Sequence, residues 1–289
     1  MIFRQLFDSV SSTYTYLLAS RVGGEALLLD PVLEKTDRYL KLLEELDLKL
    51  VKVVDTHVHA DHVTAMGALR DRTNCVTVMG EQSPVDVVSM RVGDGERVTI
   101  EGMSLTAMHT PGHTDDSYCF RMDDRVFTGD TLLIRGTGRT DFQNGDAGQQ
   151  YDSLFDGVLK LPDSTLVYPA HDYKGDMVST IAEERANNPR LQVGSRAEYI
   201  ELMAGLNLPN PKMMDVAVPE NIRMGLNLDR QREVATITPE SIIMDNAEGI
   251  LLVDLREEGE RAKSGIIPGS VHAPYSRLDQ HLGMLRQSE

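Results

Sequence analysis

Residues 57–62 read His-Val-His-Ala-Asp-His, so His57, His59, Asp61 and His62 place four metal-capable side chains within six positions. Groups of this kind so close together serve a metal or acid–base site; the plain alternative is a surface histidine cluster. The cluster follows the apolar run Leu50-Val51-Lys52-Val53-Val54, which reads as a buried strand. At a strand end, alternating side chains can fan toward one point. Three more candidates lie downstream: His113 in Thr110-Pro111-Gly112-His113-Thr114, Asp130 in Phe127-Thr128-Gly129-Asp130-Thr131, and His171 in Tyr168-Pro169-Ala170-His171-Asp172. Each stands where an apolar run gives way to small or turn-forming residues, and loops on a rigid β scaffold are where catalytic groups concentrate. Singly these fragments are common. In this order, with the histidine turn, they indicate a metal site.

Positioning those loops requires a β-rich frame. The pattern predicts strands over 13–19, 26–30, 50–54, 76–79, 103–109, 117–121, 125–128 and 166–168. It predicts helices over 37–48, 60–72, 149–160, 178–188 and 196–206. The 60–72 helix is expected to start inside the histidine cluster, with Asp61 in its first turn, where the helix dipole favours a carboxylate. Residues 92–98, with Gly93 and Gly95, read as a hairpin turn. Pro209, Pro211 and Pro219 punctuate 207–227, which reads as a wrapping arm or linker. A new unit is expected from 236, with a helix start at Thr238-Pro239-Glu240 and a buried strand over 249–256.

A chain of 289 residues, 41% apolar, suffices for one large domain or two ordinary ones. Its 29 basic and 45 acidic residues give a net charge of −16. That argues against nucleic-acid or anionic-membrane binding, because phosphates would be repelled. No segment approaches the length needed to span a bilayer, and the N-terminus lacks a basic region followed by an apolar stretch. The two cysteines, Cys75 and Cys119, lie in strand-like surroundings and make no disulfide framework; buried, inert thiols in a cytoplasmic protein are expected. His109, His272, His281 and the 14 methionines receive structural readings.

With these fragments in place, residues 1 to about 230 resemble the metallo-β-lactamase superfamily. The resemblance implies an α/β chain folded as an αββα sandwich with metal at the edge between two sheets. All seven ligand positions of that superfamily are occupied, by His57, His59, Asp61, His62, His113, Asp130 and His171. Two metals bridged by Asp130 are therefore allowed, as in a binuclear thioester hydrolase of the glyoxalase II type. Finer motifs are similar to the persulfide dioxygenase branch: Leu132-Leu133-Ile134-Arg135-Gly136-Thr137-Gly138-Arg139-Thr140-Asp141-Phe142-Gln143, Glu183-Glu184-Arg185, Asn188-Pro189-Arg190-Leu191 and Glu220-Asn221-Ile222-Arg223-Met224-Gly225. This closer resemblance implies one iron(II) per chain, held by His57, His113 and Asp130, with His59, Asp61, His62 and His171 as supporting groups. Two histidines and a carboxylate suit iron(II) and dioxygen. The implied substrates are glutathione persulfide and dioxygen, with sulfite and glutathione as products. Glutathione carries two carboxylates, for which Arg139 and Arg190 are candidates; a structural ion pair is the alternative for each, and Asp141 is a candidate partner orienting Arg139. Tyr173 is placed to reach the open metal face as a catalytic or substrate-binding group, against the alternative of a buried structural tyrosine. A second copy of the chain is a candidate partner.

Residues 236–289 resemble the start of a rhodanese domain, through Leu252-Val253-Asp254-Leu255-Arg256-Glu257 and Gly265-Ile266-Ile267-Pro268-Gly269-Ser270-Val271-His272. The domains expected are thus 1–232 and a partial rhodanese-like segment over 236–289. Roughly half of such a domain is absent and no cysteine stands in the segment, so no sulfurtransferase activity is expected of it. A docking surface is the remaining role.

Overall fold

Side chains alternate across a strand, and that alternation explains the layering. In β2 (Thr13–Ala19) every residue is buried, and in β3 (Glu25–Leu29) every residue but the first. Both faces of these strands must therefore be covered. Tyr16, Leu18, Leu27 and Leu29 face a core shared with Leu105, Ala107, Phe120 and Phe127. Their neighbours Leu17, Ala19, Ala26 and Leu28 face Tyr39, Leu43, Met66 and Leu69. The first group joins two sheets, and the second joins a sheet to helices.

The computed structural model describes residues 1–206, 208, 213–223, 251–278 and 281. The first sheet runs β1 (Ile2–Asp8), β2, β3, β4 (Lys49–Val54), β5 (Val76–Gly80), β6 (Met90–Val92). The second runs β12 (Ser179–Thr180), β11 (Leu166–Pro169), β10 (Arg125–Gly129), β9 (Tyr118–Arg121), β8 (Met103–His109), β7 (Arg97–Ile100). Helices α1 (Thr36–Glu45) and α2 (Met66–Thr73) cover the first sheet. Helices α3 (Ala147–Asp152), α4 (Ile181–Asn187) and α5 (Arg196–Ala204) cover the second, where Cys119, Val126 and Val167 meet Leu154, Ile181, Tyr199 and Met203. The result is the expected αββα sandwich. Strand β10 pairs parallel with β11, and β8 joins them through the antiparallel β9, so β8, β10 and β11 end on the same edge of the sheet.

Several expected elements differ. The 60–72 helix begins only at Met66, so Asp61 lies in a turn rather than in a first helical turn. Outside groups claim the backbone there: Leu33 N donates to Val63 O at 2.8 Å, Ala65 N donates to Pro31 O at 2.7 Å, and the Asn221 amide binds the carbonyls of His59 and His62. Asn221 belongs to α6 (Met214–Arg223), a helix inside the stretch expected to be a linker; Pro219 within it masks the pattern. The 92–98 turn is not a hairpin, because β6 and β7 belong to different sheets. Its Gly95 N donates instead to Ala107 O on β8. The 149–160 helix breaks at Asp152 into irregular turns ending at Lys160. The 178–188 helix starts at Ile181, because Thr180 and Glu183 cap each other's backbone N–H groups.

The chain forms two compact units, Met1–Met224 and Gly225–Glu289. In the second, β13 (Val253–Asp254) and β14 (Val271–His272) pair in parallel with α7 (Glu258–Ser264) between them in sequence. The expected 249–256 strand is realised only at Val253–Asp254; residues 249–250 and the helix start at Thr238-Pro239-Glu240 lie outside the described residues.

Candidate metal centre

The histidine turn emerges from β4 on a fixed base. Asp30, at the end of β3, is 2% exposed with φ of 48°. Its carboxylate accepts from Thr56 N at 2.7 Å and Thr56 Oγ1 at 3.1 Å. With the hydroxyl hydrogen so committed, Thr56 Oγ1 accepts from His57 Nδ1 at 3.0 Å. That fixes the tautomer and leaves Nε2 as the basic nitrogen of His57. Gly129 makes room for this arrangement: it has φ of 51°, and a Cβ there would lie 2.8 Å from Thr56 Oγ1 and 2.9 Å from Thr56 Cβ. We expect Gly129→Ala to cost about 2 kcal/mol, from the left-handed backbone and the crowding together, and to weaken metal binding by displacing Thr56. Thermal melts with and without metal check this.

The same logic holds for the other two members. His113 Nδ1 donates to the Arg139 carbonyl at 2.7 Å, again freeing Nε2. Asp130 Oδ1 accepts from His171 Nδ1 at 2.6 Å, while Oδ2 faces His113 Nε2 at 3.5 Å. His57, His113 and Asp130 each bring one ligand atom, all within 4.8 Å of one another. Two neutral imidazole nitrogens and a carboxylate oxygen, pre-oriented and converging, are a donor set that fits a divalent transition metal.

The remaining histidines are arranged differently. His171 lies between two carboxylates, with Nε2 donating to Asp61 Oδ2 at 2.7 Å as Nδ1 donates to Asp130. Burial opposes its charge, but Asp130 and Asp61 outweigh burial and hold its pKa well above the histidine value. His59 behaves alike: burial lowers its pKa, yet Asp30, Asp55 and Asp61 push it up to about 9. Burial and the neighbouring histidines instead keep His57 neutral. A protonated imidazole has no lone pair for a metal. Without metal, His57 thus presents a free Nε2, while His59 donates to Asp30 and His171 to Asp61 and Asp130. His62 Nδ1 lies 2.9 Å from Asp61 Oδ2. A second grouping, His59, Asp61 and His62, also has ligand atoms within 4.8 Å, and His59 Nδ1 and His62 Nε2 have no hydrogen-bond partner.

A cavity of about 280 Å³ opens over this cluster, lined by His57, His113, Asp130, His171, Arg139, Tyr173 and Arg190, among others. Arg139 is paired with Asp141 through two bonds of 2.6 Å, and its guanidinium lies 4.6 Å from the Phe142 ring centre. Asp141 is thus the partner that orients Arg139 at the cavity wall. Arg190 donates to Thr137 O and Oγ1, and among the described residues it has no carboxylate within ion-pair distance. Tyr173 is 72% exposed and stacks parallel to His171 at 6.2 Å, so it is a rim residue and not a buried one. Sequence reasoning missed Lys174 at the same mouth. It also missed Asp30, Asn221 and Asp116, whose carboxylate accepts from Val58 N at 3.1 Å. Asp30 had one local signal, an acidic residue closing the apolar run Ala26-Leu27-Leu28-Leu29.

The model of the metallo-β-lactamase superfamily matches residues 9–83 and 79–171, and the chain belongs to that superfamily. Within it, the chain is 45% identical over 229 residues to the mitochondrial persulfide dioxygenase ETHE1 of Mus musculus, covering 78% of this chain and 89% of the relative. The Homo sapiens protein of the same name is 44% identical with the same coverage. The crystal structure of ETHE1 from Myxococcus xanthus superposes with a TM-score of 0.76 at 55% identity, over 78% of this chain and 100% of that one. A metallo-β-lactamase structure from Staphylococcus aureus shares the fold at 23% identity, with a TM-score of 0.73 over 98% of this chain and 87% of that one.

Proposed function

We propose that this chain is a non-haem iron(II) enzyme that oxidises glutathione persulfide with dioxygen to sulfite and glutathione. The observation that carries this reading is the 45% identity to a persulfide dioxygenase across 89% of that enzyme. Iron(II) held by His57, His113 and Asp130 would supply the redox chemistry between dioxygen and the outer sulfur of the persulfide. The chain supplies the rest. Leu133 and Ile134 line the cavity and exclude water from the reacting sulfur, while His171 keeps a proton between Asp61 and Asp130. Arg190 offers a guanidinium to a glutathione carboxylate, and Lys174, exposed at the mouth, offers a second cation. Tyr173 lines the cavity as a candidate contact for the peptide part of the substrate, and Arg139 and Phe142 line it as well.

Oxygen uptake by iron-loaded protein given glutathione persulfide tests the proposal. Turnover of S-lactoylglutathione without oxygen uptake would sink it. For Arg190→Ala, we expect KM to rise about tenfold with kcat little changed, as suits a charged hydrogen bond made equally in ground and transition states.

A second reading, the binuclear thioester hydrolase, is favoured by the unpartnered His59 Nδ1 and His62 Nε2. Against it stands the pairing of Asp61 with His171, which commits one oxygen of that carboxylate. Residues 236–289 we read as a partial rhodanese-like segment; the parallel pairing of β13 with β14 around α7 supports this. A cytoplasmic setting is proposed on the acidic composition and the two buried thiols. Among the described residues, no helix is long and apolar enough to cross a membrane.

A further inference from the structure

We infer that Asn221 is a positioning residue of the metal centre, holding the histidine turn in its ligand geometry from the far end of the first unit. The turn between β4 and α2 has no strand or helix ladder, and it is buried: His59 is 0%, His62 3% and Thr64 6% exposed. Buried backbone groups need partners, and one side chain provides three of them. Asn221, 3% exposed, donates both amide hydrogens, to the carbonyls of His59 and His62, each at 2.9 Å. Its carbonyl accepts from Thr64 N at 2.8 Å. Aspartate lacks the two donors and alanine lacks all three groups.

The consequence reaches the metal through one chain of contacts. Fixing His59 and His62 fixes Asp61 between them, and Asp61 holds His171, which holds Asp130. Asn221 touches none of His57, His113 and Asp130, so it acts only through these intermediates. It also gives a role to Glu220-Asn221-Ile222-Arg223, which the sequence singles out without assigning any. The helix carrying it ends at Arg223, next to the boundary between the two compact units.

The inference rests on the metal-centre reading but not on the identity of the substrate. Its test is an anaerobic iron(II) titration of the full chain, with electron paramagnetic resonance of the nitric-oxide complex of the bound iron and melting of the metal-free protein. Asn221→Ala is expected to bind iron about ten- to a hundredfold more weakly and to change the resonance spectrum, as loss of an outer ligand-orienting group does. Asn221→Asp should be at least as weak, because a carboxylate would face two carbonyl oxygens. Glu220→Ala, on the exposed side of the same helix, should match the wild type. Should Asn221→Ala not fold, Asn221→Ser carries the same expectation. Variants that melt lower but bind iron with wild-type affinity and spectrum would show that Asn221 serves the fold alone, and would overturn the inference. Wild-type behaviour of Asn221→Asp would overturn it too. A wild-type chain that takes up no iron would instead remove the metal-centre reading, and this inference with it.

Discussion

Asp130→Ala is expected to yield a folded protein without iron and with persulfide-dependent oxygen uptake reduced at least about a thousandfold. Asp130 is the only anion in the triad, so its loss removes both a ligand and the charge that offsets a divalent ion. Its carboxylate is prepared for that work: burial pushes its pKa up, but the charge of His171 and its hydrogen bond outweigh burial and hold it well below the carboxylate range. It is therefore held as an anion at neutral pH. The fold should survive. Asp130 is one of two carboxylates on His171, and Asp61 keeps its bond to that ring after the substitution. His57→Ala and His113→Ala should lose iron as well, each removing one neutral nitrogen. Metal content measured alongside thermal melting separates ligand loss from unfolding. One iron per chain retained in folded Asp130→Ala would contradict the triad.

What could be read from the sequence follows from range. The histidine turn is local, and each later ligand sits just past its own apolar strand, so types and spacing sufficed to locate them. The sandwich was expected only through the family resemblance; the burial of β2 and β3 on both faces, which explains it, is visible in the fold. Distant partners were not legible. His171 meets Asp61 across 110 positions, and Asn221 meets His62 across 159. No periodicity announces such pairs. The over-long helix at 60–72 arose for the same reason: its apolar spacing is helical, but backbone groups of its first turn are claimed by Asn221, Leu33 and Pro31. Arg139 could be read either as a carboxylate grip or as an ion pair; it pairs with Asp141, two positions on, and also lines the cavity. Arg190 differs because its partners among the described residues are the carbonyl and hydroxyl oxygens of Thr137, not a carboxylate.

His171→Ala should separate the two chemical readings. At neutral pH the metal-free protein holds an imidazolium between two largely buried carboxylates, at 2.6 and 2.7 Å. Removing the cation leaves Asp61 and Asp130 facing each other uncompensated. Losing one partner of a buried pair costs about 3–5 kcal/mol, and the lower figure applies here because Asp61 keeps Thr13 and His62. For a domain of this size, about 3 kcal/mol lowers Tm by roughly 6–12 °C. The sign of the pH dependence follows from the shifts. A histidine raised on folding stabilises fully below its unfolded pKa of about 6.5 and progressively less as pH rises through its folded value. Carboxylates depressed on folding stabilise fully above about pH 4 and lose that contribution as pH falls further. The Tm gap between wild type and variant should therefore be widest between about pH 4 and 6.5 and narrow on either side. With metal, the dioxygenase reading expects His171→Ala to keep its single iron, bound about ten- to a hundredfold more weakly, because the ring orients Asp130 without ligating. A binuclear hydrolase would begin with two metals and lose one on this substitution. Metal analysis of the two proteins side by side distinguishes these outcomes, and a wild type holding two ions would reverse the assignment of His171 from hydrogen-bond donor to ligand.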